Sequence, residues 1–228
     1  FAEQGHNVIW WSSNFSHRHK IMREPCSETE GFFVRLIETP PYTKNISFAR
    51  LKNHKAFADG FYRDAMAGLK SAELKAPDRI VVSLPPLGVA ESAFRIRDYL
   101  KKAESGKRTT GKATRTTPCE VVVDIMDAWP EVFYRVLPKR LRNLLGPILL
   151  APMHRSAKRA YQYADKISGV GQSYLDLAQM YLQSVRKPSI GIDKIQNVAG
   201  TSLLQTPLHI CYHGTDLSRF ERDRGVDR

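Results

Sequence analysis

The chain has 228 residues, 42% of them apolar and 25% charged, which gives volume for one large domain or two small ones, each with a real core. Its longest apolar runs, Val121 to Val123 and Ile148 to Ala151, are far too short for a spanning helix. Thirty-five Lys and Arg against 23 Asp and Glu leave +12, a charge that suits a polyanionic neighbour without choosing among nucleic acid, acidic lipid and a phosphorylated substrate.

The opening Phe1 to Gly5 reads as the last turn of a helix closed by Gly5 in a left-handed cap, and a strand follows from Val8 to Ser12. A second strand is expected at Phe32 to Ile37. After the turn at Pro40-Pro41 a long helix runs from about Ser47 to Leu69, with Phe48, Leu51, Phe57 and Phe61 at helical spacing. The strand Arg79 to Leu84 then leads through Pro85-Pro86-Leu87-Gly88 into a helix from Val89 to about Ala103, with Ala93, Ile96 and Leu100 inward. Ser105 to Pro118 is polar and basic and reads as an exposed loop, with Lys101, Lys102, Lys107, Arg108, Lys112 and Arg115 in or beside it against one acid, Glu104.

Cys119 to Met126 is almost continuously apolar, as a central strand buried on both faces would be. A helix from Pro147 to Tyr163, a strand from Lys166 to Val170, a helix from Ser173 to Gln183 capped by Ser173, and a strand from Leu208 to Tyr212 complete the series. Strand and helix alternate without hairpin spacing, so the economical fold is α/β: one doubly wound, mostly parallel sheet with helices on both faces. Cys26, Cys119 and Cys211 are odd in number and widely spaced, which suits buried thiols in a reducing compartment better than a disulfide or metal framework.

Ligands of such sheets bind beyond the carboxyl ends of the strands. The segments there are Trp10 to His17, Pro41 to Asn45, Pro85-Pro86, Asp127 to Glu131 and His213 to Asp216. In order, Gly5-His6-x-Val8, Trp11-Ser12-Ser13-x-Phe15-x-His17, Pro41-Tyr42-x-x-Asn45-x-Ser47-x-x-Arg50, Pro77-Asp78-x-Ile80, Asp127-x-Trp129-Pro130-Glu131, Ala164-Asp165-x-Ile167 and the closing Tyr212-His213-Gly214-Thr215-Asp216-Leu217-x-x-Phe220 resemble the N-terminal domain of family-4 glycosyltransferases with the GT-B fold. Bacterial enzymes of surface-polysaccharide assembly are the nearest in character. Asp127-x-Trp129-Pro130-Glu131 is the most specific piece, and His213 departs from the Asn that often precedes the glycine in the family.

The resemblance implies a single Rossmann-like domain over 1–228, with the family's first strand and glycine-rich loop expected before Phe1 and its nucleotide-sugar domain expected after Arg228. It implies a sugar transferase whose acceptor half is this chain, inactive alone, with a nucleotide-sugar donor held mainly elsewhere. The acceptor is a glycan, with a lipid-linked one favoured, and no cofactor is called for. Transfer is metal-independent and retaining by the same token; Asp124-Ile-Met-Asp127 lacks the spacing of a divalent-ion pair. Gly214 and Asp216 fall at the implied domain hinge, and the implied location is cytoplasmic, peripheral to the inner face of the cell membrane.

Asp127, at the end of the central strand, can take the acceptor hydroxyl's proton with Glu131 to tune it, or can cap the turn that begins near Trp129. Trp129 offers either a stacking face for a sugar or a packing face for the core. His17, backed by His19 and Lys20, lies in a polar loop suited to phosphate or acceptor, and equally in any exposed loop. Tyr42, Asn45 and Arg50, with His54, fall at a helix start that favours an anion, or else form a cap and a solvated face. Lys139, Arg140 and Arg142, interleaved with leucines, make either an amphipathic surface for an acidic leaflet or a solvated helix. A nucleic-acid-binding domain also accommodates +12, but the cations are dispersed and no recognition helix or aromatic-interleaved sheet motif is present; a non-catalytic binding or scaffolding domain is the other alternative.

Overall fold

The structure, a computed structural model, describes residues 5–24, 32–109, 117–135, 137–138, 142, 145–183 and 208–210. Its elements in chain order are β1 (Ile9–Ser13), β2 (Phe33–Ile37), α1 (Phe48–Lys70), β3 (Arg79–Leu84), α2 (Leu87–Thr109), β4 (Glu120–Ile125), a 3-10 helix (Glu131–Arg135), α3 (Gly146–Tyr163), β5 (Lys166–Gly169), α4 (Gln172–Gln183) and β6 (Leu208–Ile210). The class is α/β, and every pairing between these strands is parallel.

The strands fall into two sheets, β1-β2 and β3-β4-β5-β6, where one had been expected. β4 is an inner strand, as its composition suggested. From β3 to β6 each crossover moves to the next neighbour in the same direction. Right-handed crossovers of that kind leave their helices on one face. Accordingly α1 packs beside α2, α2 beside α3 and α3 beside α4. Among the described residues, then, helices line one face of the sheet rather than both.

The register explains which side chains form the core. Ile80 lies opposite Val121, Val82 opposite Val123 and Leu84 opposite Ile125, and Val123 lies opposite Ile167. These rows face the helices, where Ala90, Ala93, Ile96, Ala157 and Tyr161 close over them. Residues one position away form the other face: Arg79 opposite Glu120, Val81 opposite Val122 and Lys166, Ser83 opposite Asp124 and Ser168. On it Glu120 accepts from Arg79 at 2.9 Å and from Lys166 at 3.0 Å, and Ser168 donates to Asp124 at 2.7 Å. Lys166 foremost, then Arg79, hold the Glu120 carboxyl below its ordinary range. β4 therefore alternates, with Val121, Val123 and Ile125 buried and Glu120, Val122 and Asp124 half-buried, instead of being equally covered on both faces.

Boundaries follow local chemistry. Ser47 caps α1, its hydroxyl accepting the Arg50 amide at 3.1 Å. Leu51, Phe57 and Phe61 meet the core, whereas Phe48, the first residue of the helix, is 90% exposed. Helix α2 runs past the expected end at Ala103 to Thr109; Ser105 donates back to the Lys101 carbonyl at 3.0 Å and no proline intervenes. Because α4 begins at Gln172, Ser173 lies inside its first turn and is not its cap. Gly5 has the expected positive φ, 82°. Cys119 is buried, and Cys26 and Cys211 lie outside the described residues, as do the first turn at 1–4 and most of the basic loop.

Helix α1 comes close to β2 only because residue 60 is glycine. A Cβ there would lie 2.3 Å from Cγ2 of the buried Ile37. Gly60→Ala gains about 1 kcal/mol of helix propensity, but the methyl must displace a branched side chain in a packed layer, an overpacking cost of about 1–3 kcal/mol. The expected result is a net loss of about 1 kcal/mol in urea unfolding. A variant more stable than the wild type would show that Ile37 moves freely.

Candidate functional site

The loops after β1 and β2, the start of α1 and the loop after β4 meet at one place. The β1 loop folds back on itself. Phe15 bridges to Met22, the Ser16 amide donates to the Ile21 carbonyl at 2.8 Å, and Lys20 takes a positive φ of 57° to close the turn. That turn presents His17 and Lys20 to the β2 loop. His17 Nδ1 and the Tyr42 hydroxyl share a hydrogen bond at 2.5 Å, and Lys20 Nζ donates to the Asn45 side-chain oxygen at 2.7 Å. Lys20 also stands over the Tyr42 ring, 4.3 Å from its centre.

Buried polar contacts lock both loops to α1. Ser13 and Thr39 share a hydrogen bond at 2.6 Å, and the Thr39 amide donates to Asn14 at 2.9 Å. Asn53, one turn into α1 and buried, donates to Thr39 at 2.9 Å and to the Pro40 carbonyl at 2.8 Å. Thr39 and Asn53 thereby join the two loops to α1 through several hydrogen bonds at once, so the network rigidifies what it joins.

Arg50 is the hub. It donates to the Asn45 carbonyl at 2.8 Å and, through Nε, to His54 Nε2 at 3.3 Å, and its guanidinium lies 5.0 Å from the centre of the Trp129 ring. Trp129 is only 3% exposed, with His54 on one side (centroids 5.0 Å apart) and Phe133 edge-on at 4.6 Å. Its indole N–H donates to Asp127 at 3.2 Å, and the other Asp127 oxygen accepts the Ala128 amide at 2.9 Å. Asp127 therefore caps this turn and orients Trp129, and Trp129 packs while its margin stays at the site. Beside it a groove of about 340 Å³ runs between α1, α2 and α3, walled by Leu51, Ala58, Leu87 and Met153 with His54 and Trp129 at one end.

The electrostatics of the cluster have one sign. Burial first, then Arg50 and His17, depress the His54 pKa to about 4. Burial, Arg50 and Lys20 lower that of His17, and desolvation and Arg50 lower that of Lys20. Burial raises the Tyr42 phenol, with Arg50 pulling the other way. Among the described residues no carboxylate lies within ion-pairing distance of Lys20 or Arg50. Such an arrangement can hold an anion and leaves neutral imidazole nitrogens beside it.

Of the residues singled out in the sequence, His17, Tyr42, Asn45, Arg50, Trp129 and Asp127 are brought together. Glu131 is not in this group. It accepts from Tyr181 at 2.6 Å, and Tyr181 in turn bonds His154, which reaches Tyr134 at 3.0 Å. This second network between the 3-10 helix, α3 and α4 ties those elements together, with the other Glu131 oxygen buried and without a hydrogen bond. Arg142 is half-buried with its Nε enclosed and unpartnered, while Lys139, Arg140, Gly214 and Asp216 lie outside the described residues. In the first turn of α3, Ile148 and Leu149 are 69% and 61% exposed. No helix among the described residues is long and apolar enough to cross a membrane.

Sequence reasoning had not found Asn53 or Thr39, whose pairing spans separate elements and leaves no local pattern. Lys20 and His54 were visible only as neighbours of stronger candidates. No family model, no curated protein and no solved structure matches this chain.

Proposed function

We propose that this chain is the acceptor-side, Rossmann-like domain of a GT-B sugar transferase. The observation that carries the reading is the convergence of the loops after β1, β2 and β4 on the cluster of His17, Tyr42, Asn45, Arg50, Trp129 and Asp127. Those loops follow the carboxyl ends of parallel strands, the place where ligands of α/β folds bind. The ordered resemblance of these same segments to family-4 glycosyltransferases supplies the chemistry. A glycan acceptor would lie along the groove with its hydroxyl toward Asp127, and the nucleotide-sugar donor would be held mainly by a second domain. With His54 Nε2 accepting from Arg50, the remaining Nδ1–H of neutral His54 is a hydrogen-bond donor for an acceptor oxygen. The reading extends to an anionic membrane surface facing the exposed Ile148 and Leu149 and the basic stretch before them, as a lipid-linked acceptor would require.

Saturation-transfer NMR against a panel of neutral and phosphorylated oligosaccharides tests this without needing turnover. Ring protons of at least one glycan should receive saturation, and Asn45→Ala, at an exposed position, should reduce affinity about threefold to tenfold, the worth of one or two hydrogen bonds. If no glycan in the panel receives saturation, the reading is wrong.

A further inference from the structure

Taking the acceptor reading as its premise, we infer that the acceptor carries a phosphate group, held by Lys20 and Arg50 with His17 and His54 beside them. Four basic side chains from two separate segments, the loop after β1 and the start of α1, meet here, although like charges repel. Lys20 Nζ is 3.5 Å from His17 Nδ1, and Arg50 Nε is 3.3 Å from His54 Nε2. Elsewhere on the protein several cations pair with acids, as in Arg35 with Asp64 and Glu73, Arg97 with Asp165, and Arg79 and Lys166 with Glu120. Here the cations instead spend donors on neutral oxygens of Asn45.

A phosphate dianion would convert this repulsion into attraction, since a guanidinium and an ammonium both bind its oxygens through charge-assisted hydrogen bonds. Desolvation first, and the Arg50 charge after it, lower the pKa values of His17, Lys20 and His54. Tyr42 and Asn45 fix the Lys20 loop against α1, so the two cations are held in place before any ligand arrives. The groove beside Trp129, walled by Leu51, Leu87 and Met153, offers apolar surface for whatever is attached to the phosphate.

The experiment is calorimetric titration of the whole chain with glucose 1-phosphate, glucose, inorganic phosphate and UDP. Glucose 1-phosphate should bind about tenfold or more tighter than glucose, the worth of one charged hydrogen bond. Arg50→Gln should weaken it about tenfold or more and Lys20→Gln about threefold or more, with Kd rising steeply with salt. Lys75→Gln, beyond the far end of α1, removes the same charge and should leave Kd within about twofold, which separates the site from net charge. Thermal unfolding confirms that each variant folds; should Arg50→Gln fail, the half-exposed Lys20 carries the comparison. Equal affinity for glucose and its phosphate, or a Kd that neither variant moves, overturns the inference and leaves the glycan reading standing. UDP bound more tightly than glucose 1-phosphate, and released by the same variants, moves the phosphate to the donor and overturns the acceptor assignment. Inorganic phosphate displaced by these variants, with no glycan bound in the NMR panel, keeps the anion site and sinks the acceptor reading instead.

Discussion

Asp165→Ala is expected to lower the unfolding free energy by about 4 kcal/mol, within the range for breaking a buried ion pair. Its carboxylate sits between two elements at the start of β5. One oxygen accepts both Arg97 Nη1 from α2 and the Val121 amide from β4, each at 2.8 Å. The Arg97 side chain is only 8% exposed and has otherwise the Tyr163 carbonyl at 2.8 Å and the exposed Asp98 at 3.5 Å. Alanine therefore leaves a buried guanidinium short of its counter-charge and a strand amide without an acceptor. The reverse deletion should cost less. Asp165 is about a third exposed, so in Arg97→Met water can reach the carboxylate and the Val121 bond survives, a loss of about 2 kcal/mol. Urea titration of both variants checks the asymmetry, and equal losses would show that Arg97 finds another partner. A fall of about 4 kcal/mol is a large share of the roughly 5–15 kcal/mol that holds such a domain folded.

The second large effect concerns acid. His54 is flanked by Arg50, His17 and the Trp129 ring, and its pKa is depressed to about 4 from 6.5. A base with a lower pKa in the folded state binds its proton preferentially when unfolded. The contribution to stability is therefore complete above the unfolded value of 6.5 and is lost as pH falls toward 4. At 1.36 kcal/mol per pKa unit the loss is about 3 kcal/mol. His54→Phe keeps a ring against Trp129 and cannot be protonated. The stability difference between wild type and variant should shift by about 3 kcal/mol between pH 7 and 4. If that difference stays constant with pH, His54 titrates like a solvated imidazole.

Periodicity and punctuation carried most of the element order. β3 was expected at Arg79 to Leu84 and is found there, because β-branched alternation between a proline-led turn and Pro85 leaves no other solution. Division into two sheets was not legible. Pairing between strands depends on partners far apart in sequence, and β1 and β3 give no local sign of whether they adjoin. The site was readable as loops after strands, which is a property of topology. What each residue does there was not. Asp127 offered the same sequence signal as a base and as a cap, and only its bonds to Ala128 and the Trp129 indole show it orienting the turn. Glu131, four residues on, faces Tyr181 because the 3-10 helix turns it toward α4. Trp129 is buried because α1 brings His54 against it, a tertiary accident that composition does not record.

The pairing of Glu120 with Arg79 and Lys166 adds little against unfolding, since exposed pairs contribute about 1 kcal/mol or less. Its greater consequence is for misfolding. Strands joined by helical crossovers have no tight turn to count residues for them. A slip by one residue is punished at once, because it turns Val121, Val123 and Ile125 to the wrong face. A slip by two keeps every apolar side chain inward and escapes that penalty. It would, however, set Glu120 against Val81 or Arg79 against Val122, stranding each charge on an aliphatic row. Arg79 and Glu120 thus act as a vernier between β3 and β4, rejecting the one class of error that hydrophobic burial cannot detect.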